Sequence, residues 1–339
     1  MGINEAIVIG LGSMGKRRIR CLLALGIKKI IGVDVREDRR LEVEKKYGIM
    51  VCKSYDEYLL ENKPSIAIIS LPPKLHVEAM ETFINKGIPF FIEASVISDG
   101  LVDLLEKSIK KGVLVAPSCT LHFHPAIREI SDILHNKILG KISNFHMHTG
   151  QYLPDWHTYE EVKSYYVSDP ITGGAREIVP FELTWLTELF GTPRRLAGNY
   201  RKTININGAE YIDDTYNAIL DFGSYLGFLS VDVVSRVATR RLMVNGELGQ
   251  LIWDWNDGNI KIFSSSENIW KTIKYDMSKA EKGYNKNIGE SMYIEEIKAF
   301  CSAVLGLDNF PNSLKSDINI LKILEAIEKS DDLSCFINI

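Results

Sequence analysis

The chain has 339 residues, of which 45% are hydrophobic and 25% charged, and its formal net charge at pH 7 is −4. This length predicts two domains, and the small negative charge gives no reason to expect a nucleic acid or an anionic membrane as a partner. The sequence lacks a long apolar run and a basic-then-apolar leader, and its five cysteines form no CxxC pair, so we expect a cytoplasmic protein with reduced thiols and without a zinc site.

The first predicted strand runs directly into a glycine-rich loop, Gly10-Leu11-Gly12-Ser13-Met14-Gly15. The first glycine permits a tight turn, the second lets a pyrophosphate approach the backbone, and the third lets the next helix pack closely. A helix predicted from about residue 13 to about residue 25 directs its positive N-terminal end at the phosphates. The loop therefore predicts a dinucleotide site with contacts from Gly10, Gly12, Ser13, Met14 and Gly15.

The second predicted strand ends at Asp34, 19 residues after Gly15. A carboxylate at this position can accept hydrogen bonds from the adenosine ribose and repels a 2′-phosphate, which favours NAD over NADP. Three arginines that could bind such a phosphate follow closely, so NADP stays an alternative, although a solvated helix face is the favoured explanation of these arginines. They are Arg36, Arg39 and Arg40.

Strands and helices alternate as far as residue 120. Ser54 and Glu57 have the spacing of a helix capping box, and a helix introduced by Pro72-Pro73 should end at Gly87. Nearly continuous apolar strands between helices predict a parallel sheet covered on both faces. We therefore predict a doubly wound α/β domain of the Rossmann type in residues 1–120.

The pattern changes after residue 120 to period-two alternation, with strand following strand across short turns. The predicted strands cover about residues 141–151, 216–222, 226–236, 242–248, 250–255 and 259–263, and two helices follow at about residues 291–305 and 314–329. This pattern predicts an α+β domain, residues 121–339, with an open and mostly antiparallel sheet. The C-terminal helix could pack back on the first domain.

Motifs spread over nearly the whole chain resemble those of one enzyme family. They are the glycine loop, the turn Ser70-Leu71-Pro72-Pro73-Lys74-Leu75-His76, the crossing Phe123-His124-Pro125, the sheet turn Val244–Gly249 and the C-terminal helix Leu321–Ile327. The chain resembles the glucose–fructose oxidoreductase / inositol dehydrogenase / MocA (Gfo/Idh/MocA) family of NAD(P)-dependent sugar oxidoreductases. The resemblance implies cofactor contacts from Ser70, Leu71, Pro72 and His76, and a homodimer or homotetramer formed through the C-terminal sheet.

The resemblance breaks at the family's catalytic positions. Members carry Glu-Lys-Pro after the fifth strand, whereas this chain has Glu93-Ala94-Ser95. Both Glu93 and Ala94 are expected beside the cofactor; Glu93 can bind the ribose next to the nicotinamide, but Ala94 cannot move a proton. Counting the family's G-G-x-x-x-D-x-x-x-H pattern from Gly173-Gly174 places Ile178 at the Asp position and Glu182 at the His position.

His157 is the favoured candidate for the missing acid–base group, with Glu182 as its partner or alternate. His157 lies in a polar, aromatic segment after the first strand of the second domain, and an imidazole with a pKa of about 6.5 suits proton transfer. Glu182 falls within a predicted apolar helix stripe at Ile178, Phe181, Trp185 and Leu189. A carboxylate in such a stripe is either functional or paired with an arginine, and the sequence leaves both interpretations open.

Further candidates would bind the substrate. Arg176 could clamp a carboxylate or phosphate with its planar fork, as part of the catalytic set, and Glu177 could orient it. Trp156 or Tyr159 could stack on a sugar; alternatively, Trp156 and Tyr152 are core anchors and His157 is a surface residue. His124, at the domain crossing, could also contact the substrate.

Two histidine pairs have the i, i+2 spacing that puts both rings on one side of a strand. They are His122 with His124 and His146 with His148. Such spacing permits zinc ligation, but no third ligand can be named, so we expect no metal.

The sequence therefore predicts an NAD-dependent oxidoreductase acting on a sugar hydroxyl or ketone. A nucleotide-linked or acidic sugar of surface-glycan synthesis is the expected substrate, by analogy with the family. The rewritten catalytic set keeps two alternatives open: a non-catalytic NAD-binding scaffold, and a lyase, epimerase or glycosidase that oxidises its substrate transiently with tightly bound NAD.

Overall fold

The computed structural model describes residues 2–156, 161–276, 280 and 288–339. The chain divides into two compact units. The first consists of residues 1–120 and 290–318, and the second of residues 121–289 and 319–339.

The first unit contains a six-stranded parallel sheet with the strand order β3-β2-β1-β4-β5-β6. Its strands are β1 (Ala6–Ile9), β2 (Ile30–Val33), β3 (Met50–Cys52), β4 (Ile66–Ile69), β5 (Phe90–Ile92) and β6 (Val115–Pro117). Strands β1, β2, β4 and β5 are buried along their whole length, as expected for a sheet with both faces covered. The predicted doubly wound Rossmann fold is confirmed.

Helices connect these strands. They are α1 (Ser13–Ala24), α2 (Glu37–Tyr47), α3 (Tyr55–Glu61), α4 (His76–Lys86) and α5 (Leu101–Lys111). The Ser54 hydroxyl accepts a hydrogen bond from the Glu57 backbone N–H at the start of α3, which confirms the predicted cap. Gly87 ends α4 in the left-handed conformation, also as predicted.

The second unit contains a nine-stranded sheet with the order β14-β13-β12-β11-β7-β10-β9-β8-β15. Its strands are β7 (Ile142–Gly150), β8 (Arg195–Arg201), β9 (Thr215–Asp221), β10 (Leu226–Asp232), β11 (Thr239–Gly246), β12 (Gly249–Asp254), β13 (Asn259–Ser264), β14 (Ile269–Lys274) and β15 (Ile337–Asn338). Only the β7–β10 pair is parallel among the strands described, so the predicted open, mostly antiparallel sheet is confirmed.

Residues alternate between the two faces of this sheet. In β7, Phe145, Met147 and Thr149 are buried while Ser143 and His146 are exposed. Sequence patterning missed β8, β14 and β15, because β8 and β14 carry polar side chains at half or more of their positions and β15 has only two residues.

Four further helices complete the described structure. They are α6 (Pro125–His135) and α7 (Ala175–Phe190) in the second unit, α8 (Glu290–Val304) in the first, and α9 (Leu314–Leu333), which begins in the first unit and ends in the second. Short 3-10 turns cover Pro73–Leu75, Thr120–Phe123, Leu153–Asp155, Val162–Ser164, Tyr166–Ser168 and Trp255–Asp257. None of the described helices has both the length and the apolar character needed to cross a bilayer.

The buried face of α7 differs from the predicted stripe. The buried residues of this helix include Val179, Glu182, Leu183, Leu186 and Phe190. Trp185 is buried as predicted, but Ile178, Phe181 and Leu189 are only half-buried, so the stripe is rotated from its predicted position. Glu182 nevertheless lies within it.

Candidate active-site residues

The glycine loop has the backbone geometry of a phosphate cradle. Gly10 has a φ of 88°, and a Cβ there would overlap the Ser70 carbonyl oxygen; a Cβ on Gly15 would overlap the Gly10 carbonyl oxygen. At Gly12 an added Cβ would meet only the Arg39 guanidinium, at 3.6 Å. The two outer glycines are therefore required by packing, and the space beside the middle one is open to a pyrophosphate at the N-terminus of α1.

Asp34 is tied to this loop by its carboxylate. Its Oδ2 accepts a hydrogen bond from the Leu11 backbone N–H at 2.8 Å, and its Oδ1 accepts one from the Arg36 backbone N–H at 2.9 Å. Because an ionised carboxylate can accept about four hydrogen bonds, both oxygens can still accept from a ribose.

The three arginines after Asp34 have different partners. Arg36 forms an ion pair with Asp38, and Arg40 Nη1 donates to the backbone carbonyls of Asp34 and Val35. Arg39 Nη1 lies 3.6 Å from Asp34 Oδ2. The carboxylate that disfavours a 2′-phosphate is thus in place, and only Arg39 stands directly beside it.

The predicted contacts Ser70, Leu71, Pro72 and His76 form the turn after β4. The Ser70 hydroxyl donates to Glu93 Oε1 at 3.1 Å, which links the ends of β4 and β5. His76 is buried, and its Nε2 donates to the Leu71 carbonyl at 2.9 Å. Burial lowers the pKa of His76, so a neutral imidazole stabilises this turn.

Glu93 is held by a buried arginine. Arg18 donates from Nε and Nη2 to the two oxygens of Glu93, both at 2.8 Å, and from Nη1 to Glu296 at 2.7 Å. Burial disfavours the charged guanidinium, but the two carboxylates outweigh it and raise the pKa of Arg18. Ala94 follows Glu93 and is half-buried.

Glu182 has its carboxylate fully engaged. The Arg240 guanidinium donates to Oε1 from Nε and Nη2, and the Trp185 indole N–H donates to Oε2 at 2.8 Å. Glu182 is 0% exposed. Of the two interpretations that the sequence left open, the geometry therefore favours the buried ion pair.

Arg176 also has a protein partner. Its Nε donates to Glu328 Oε1 at 2.6 Å, and its Nη1 donates to the Ile171 carbonyl at 2.6 Å. The Tyr216 hydroxyl donates to the same Glu328 oxygen at 3.0 Å. This geometry ties the start of α7 to α9, and Glu328, not Glu177, orients the arginine.

Glu177 has a different environment from the other carboxylates of α7. The Tyr166 hydroxyl donates to Glu177 Oε1 at 2.5 Å, and Oε2 is inaccessible to solvent and has no hydrogen-bond partner in the described part of the chain. Burial raises the pKa of Glu177 to about 7, although the Tyr166 hydrogen bond acts in the opposite direction. The group can therefore change protonation state near neutral pH.

His124 caps α6 and is packed between aromatic rings. Its Nδ1 accepts a hydrogen bond from the Ala126 backbone N–H at 3.1 Å, and its ring lies 5.4 Å from that of Trp253 and 5.6 Å from that of Tyr275. Burial and the nearby Arg240 lower the pKa of His124 to about 3. It is thus a neutral, buried helix cap, and its predicted contact with substrate stays a prediction.

The segment after β7 is described only as far as Trp156. The Trp156 indole N–H is buried and has no hydrogen-bond partner among the residues described, so it could donate to a ligand. His157 and Tyr159 lie outside the described residues, and their predicted roles stay predictions.

The histidine pairs are used in hydrogen bonds. His122 Nδ1 lies 2.5 Å from Glu188 Oε2, and His148 Nε2 lies 2.8 Å from Asp232 Oδ2. In the part of the chain that the structure describes, no group of three or more His, Cys, Asp and Glu side chains could hold a metal ion.

Sequence analysis did not single out Arg18, Glu296, Arg240 or Tyr166. A signal existed for Glu296, because it lies between the apolar residues Tyr293, Ile297 and Phe300 of α8 at helical spacing. The argument applied to Glu182 would have found it. No comparable pattern marks Arg240 or Tyr166.

Comparison with known proteins supports the assignment of the first unit. Residues 5–116 match the Gfo/Idh/MocA family model, described as an oxidoreductase family with an NAD-binding Rossmann fold. The N-terminal part of the chain is thus similar to this family. The predicted resemblance to NAD-binding oxidoreductases and the predicted cofactor, NAD, are therefore confirmed. A comparison with curated proteins gave no match.

Solved structures of such oxidoreductases resemble this chain over its full length. Levoglucosan dehydrogenase in complex with NADH has a TM-score of 0.84 at 13% identity, covering 99% of each chain. GenD2 from gentamicin A biosynthesis, in complex with NAD, has a TM-score of 0.80 at 14% identity, covering 100% of this chain and 97% of the other. An Agrobacterium radiobacter oxidoreductase in complex with NAD+, L-tartaric acid and magnesium has a TM-score of 0.84 at 10% identity, covering 99% and 98%. At these identities the likeness establishes the shared fold.

Proposed function

We propose that this protein is an NAD-dependent oxidoreductase that interconverts a sugar hydroxyl and a ketone. The observation that carries the proposal is the cradle formed by the glycine loop, Asp34 and Glu93. Gly10 and Gly15 are required by packing, the space at Gly12 is open, and both carboxylates stand at the ends of parallel strands. These are the positions at which a dinucleotide binds in doubly wound folds.

Bound nicotinamide supplies the hydride acceptor, and the chain must hold the cofactor and move the hydroxyl proton. Among the described residues, Glu177 is better suited to the proton transfer than Glu182. Both oxygens of Glu182 accept hydrogen bonds, from Arg240 and Trp185, whereas Glu177 Oε2 has no hydrogen-bond partner among the described residues. The pKa of Glu177, about 7, suits a general base that accepts a proton near neutral pH. His157, outside the described residues, stays a candidate for the same role.

The substrate class rests on the fold neighbours. Levoglucosan dehydrogenase acts, by name, on levoglucosan, and GenD2 comes from gentamicin A biosynthesis. A nucleotide-linked or acidic sugar of surface-glycan synthesis is the finer proposal. It draws no support from Arg176, because Glu328 occupies that guanidinium.

The open face of the second sheet supports a self-association proposal. Two large hydrophobic side chains of this sheet are about half exposed, Ile219 on β9 and Leu226 on β10. Exposed apolar groups on a sheet face favour contact with another protein surface. We therefore propose a cytoplasmic homo-oligomer formed through this face; light scattering of I219D, in comparison with the native chain, tests it.

The function is tested by incubating the purified protein with NAD and panels of neutral sugars, sugar acids and nucleotide sugars. Formation of NADH together with a substrate two mass units lighter is the expected result. Binding of NAD with no altered sugar would instead support the scaffold alternative. A sugar that is altered without net NADH would support the transient-oxidation alternative.

A further inference from the structure

Arg18 joins helix α1 to the end of β5 in a specific orientation. Its side chain is 0% exposed, and its Nε and Nη2 form two parallel hydrogen bonds with Glu93 Oε1 and Oε2. A bidentate pair of this kind fixes the plane of the carboxylate as well as its position. Ser70, from the end of β4, donates to the same Oε1. Glu93 is therefore restricted in orientation by two neighbouring elements.

The third nitrogen of Arg18 is fixed by a second buried carboxylate. Arg18 Nη1 donates to Glu296 Oε2 at 2.7 Å, and Glu296 itself is 0% exposed. Glu296 accepts three more hydrogen bonds at the end of β6, from the Ser118 hydroxyl, the Cys119 backbone N–H and the Thr120 hydroxyl. All the hydrogen-bonding capacity of this carboxylate is thus used inside the unit.

The two carboxylates differ in one respect. Glu296 is completely enclosed, whereas the Glu93 side chain is 17% exposed. Its Oε2 accepts only from Arg18 among the hydrogen bonds described, so a lone pair of this oxygen is left for a ligand. The network therefore has one closed end, at Glu296, and one end that can meet solvent, at Glu93.

We propose that Arg18, held by Glu296, is a positioning residue that orients Glu93 toward the ribose next to the nicotinamide. This inference rests on the proposed function, because the role of Glu93 toward that ribose is part of it. Buried ion pairs contribute little net stability compared with apolar side chains of similar size, whereas they do fix geometry. Loss of Arg18 should therefore affect the nicotinamide half of the cofactor more than the adenosine half.

The chain offers a matched control in Arg17. This neighbouring arginine is 2% exposed, forms an ion pair with Glu290 of α8, and lies 4.1 Å from the centre of the Tyr293 ring. It thus resembles Arg18 in burial and in its partner helix, but its ion pair is with Glu290 and not with Glu93.

The test measures the affinities of NAD and of ADP, which lacks both the nicotinamide and its ribose, for the native chain and for R18K, E296Q, E93Q and R17M. Lysine keeps the charge but cannot form the fork, and E296Q removes one of the two carboxylate charges that hold Arg18 while keeping the side-chain size. We expect R18K and E296Q to weaken NAD binding about tenfold while ADP binding is unchanged, as a lost hydrogen bond to a charged group predicts. R17M should leave the ratio of the two affinities unchanged.

Three outcomes would overturn the inference. R18K and E296Q could leave NAD binding unchanged while E93Q weakens it, in which case only the positioning role fails. They could weaken NAD and ADP binding equally, which would indicate a structural role in the whole sheet edge. If E93Q itself binds NAD normally, the assignment of Glu93 to the ribose fails, and the positioning role of Arg18 fails as well. By contrast, native NAD affinity without turnover contradicts the proposed function and leaves this inference standing.

Discussion

Arg240 Nη2 lies 2.6 Å from Glu182 Oε1 in the interior of the second unit, and its Nε donates to the same oxygen at 3.0 Å. Glu182 is 0% exposed and the Arg240 side chain 10% exposed. The ring of Trp255 lies 4.5 Å from the Arg240 guanidinium. The positive charge of Arg240 contributes to the low pKa of His124. The pair is therefore an organising element of the core around α7 and β11.

Removing one charge of this pair should destabilise the protein strongly. In E182A the Arg240 guanidinium stays buried without its partner, and we expect a loss of about 3–5 kcal/mol in the free energy of unfolding, measured by urea titration. The control is E188Q, because Glu188 is 46% exposed and its loss should change stability by less than about 0.5 kcal/mol. A folded, fully stable E182A that has lost only turnover would restore Glu182 as the acid–base group.

Glu177 should control the pH dependence of oxidation. Its pKa is raised to about 7 by burial, and a general base must be ionised, so kcat/KM for hydroxyl oxidation should rise with pH through about 7. E177Q should lose about 100-fold or more in kcat at unchanged stability.

Tyr166 provides the sharper control for this assignment. Its hydroxyl hydrogen bond lowers the pKa of Glu177, against the effect of burial. In Y166F that contribution is gone, so the rise in kcat/KM should move to higher pH. A profile that stays in place in Y166F would exclude Glu177 and favour His157.

Asp317 should make stability depend on pH. It is buried in the first turn of α9, and burial raises its pKa from 3.8 to about 7, while the Ser95 hydroxyl acts in the opposite direction. Between these two pH values the folded state keeps a proton that the unfolded state releases. The free energy of unfolding should therefore fall as pH rises from 3.8 to about 7, and the loss should persist above it.

The D317N variant tests this linkage. An amide carries no charge at either pH, so the fall should be smaller, and above pH 7 the variant should be more stable than the native chain by about 1–3 kcal/mol. Urea unfolding across this pH range measures it, with D308N, an exposed aspartate, as the control. Parallel curves for D317N and the native chain would contradict the prediction.

The features that the sequence predicted correctly are local ones. The Gly10–Gly15 loop, Asp34 and the Ser54 cap depend on residues within one turn or on a fixed spacing after a strand, and each is found as expected. Period-two alternation likewise predicted most strands of the second sheet, because burial of one face repeats at every second residue.

The partners of the charged groups depend on long-range contacts, and these could not be predicted. Arg240 is 58 residues from Glu182, and Glu93 is 75 residues from Arg18. Spacing showed that Glu182 lies in an apolar setting, but not whether an arginine or a substrate would meet it. The same limit explains why Glu177 was expected to orient Arg176, whereas Glu328, 152 residues away, does so.

Asp34 should set the preference for NAD over NADP. Its carboxylate is 5% exposed, accepts the Leu11 and Arg36 backbone N–H groups, and has the Arg39 guanidinium 3.6 Å away, with Arg39 31% exposed. D34N keeps an acceptor oxygen for one of these two backbone groups but removes the charge that repels a 2′-phosphate, and it leaves Arg39 without its ion-pair partner there. We expect the ratio of NAD to NADP affinity to fall about tenfold or more in D34N, measured by calorimetric titration of both cofactors.

Adding R39M to D34N should reverse most of the gain in NADP affinity, because the guanidinium then no longer binds the phosphate. R39M alone should leave NAD affinity nearly unchanged; a D34N chain that still rejects NADP would show that the shape of the site, and not this charge, determines the choice of cofactor.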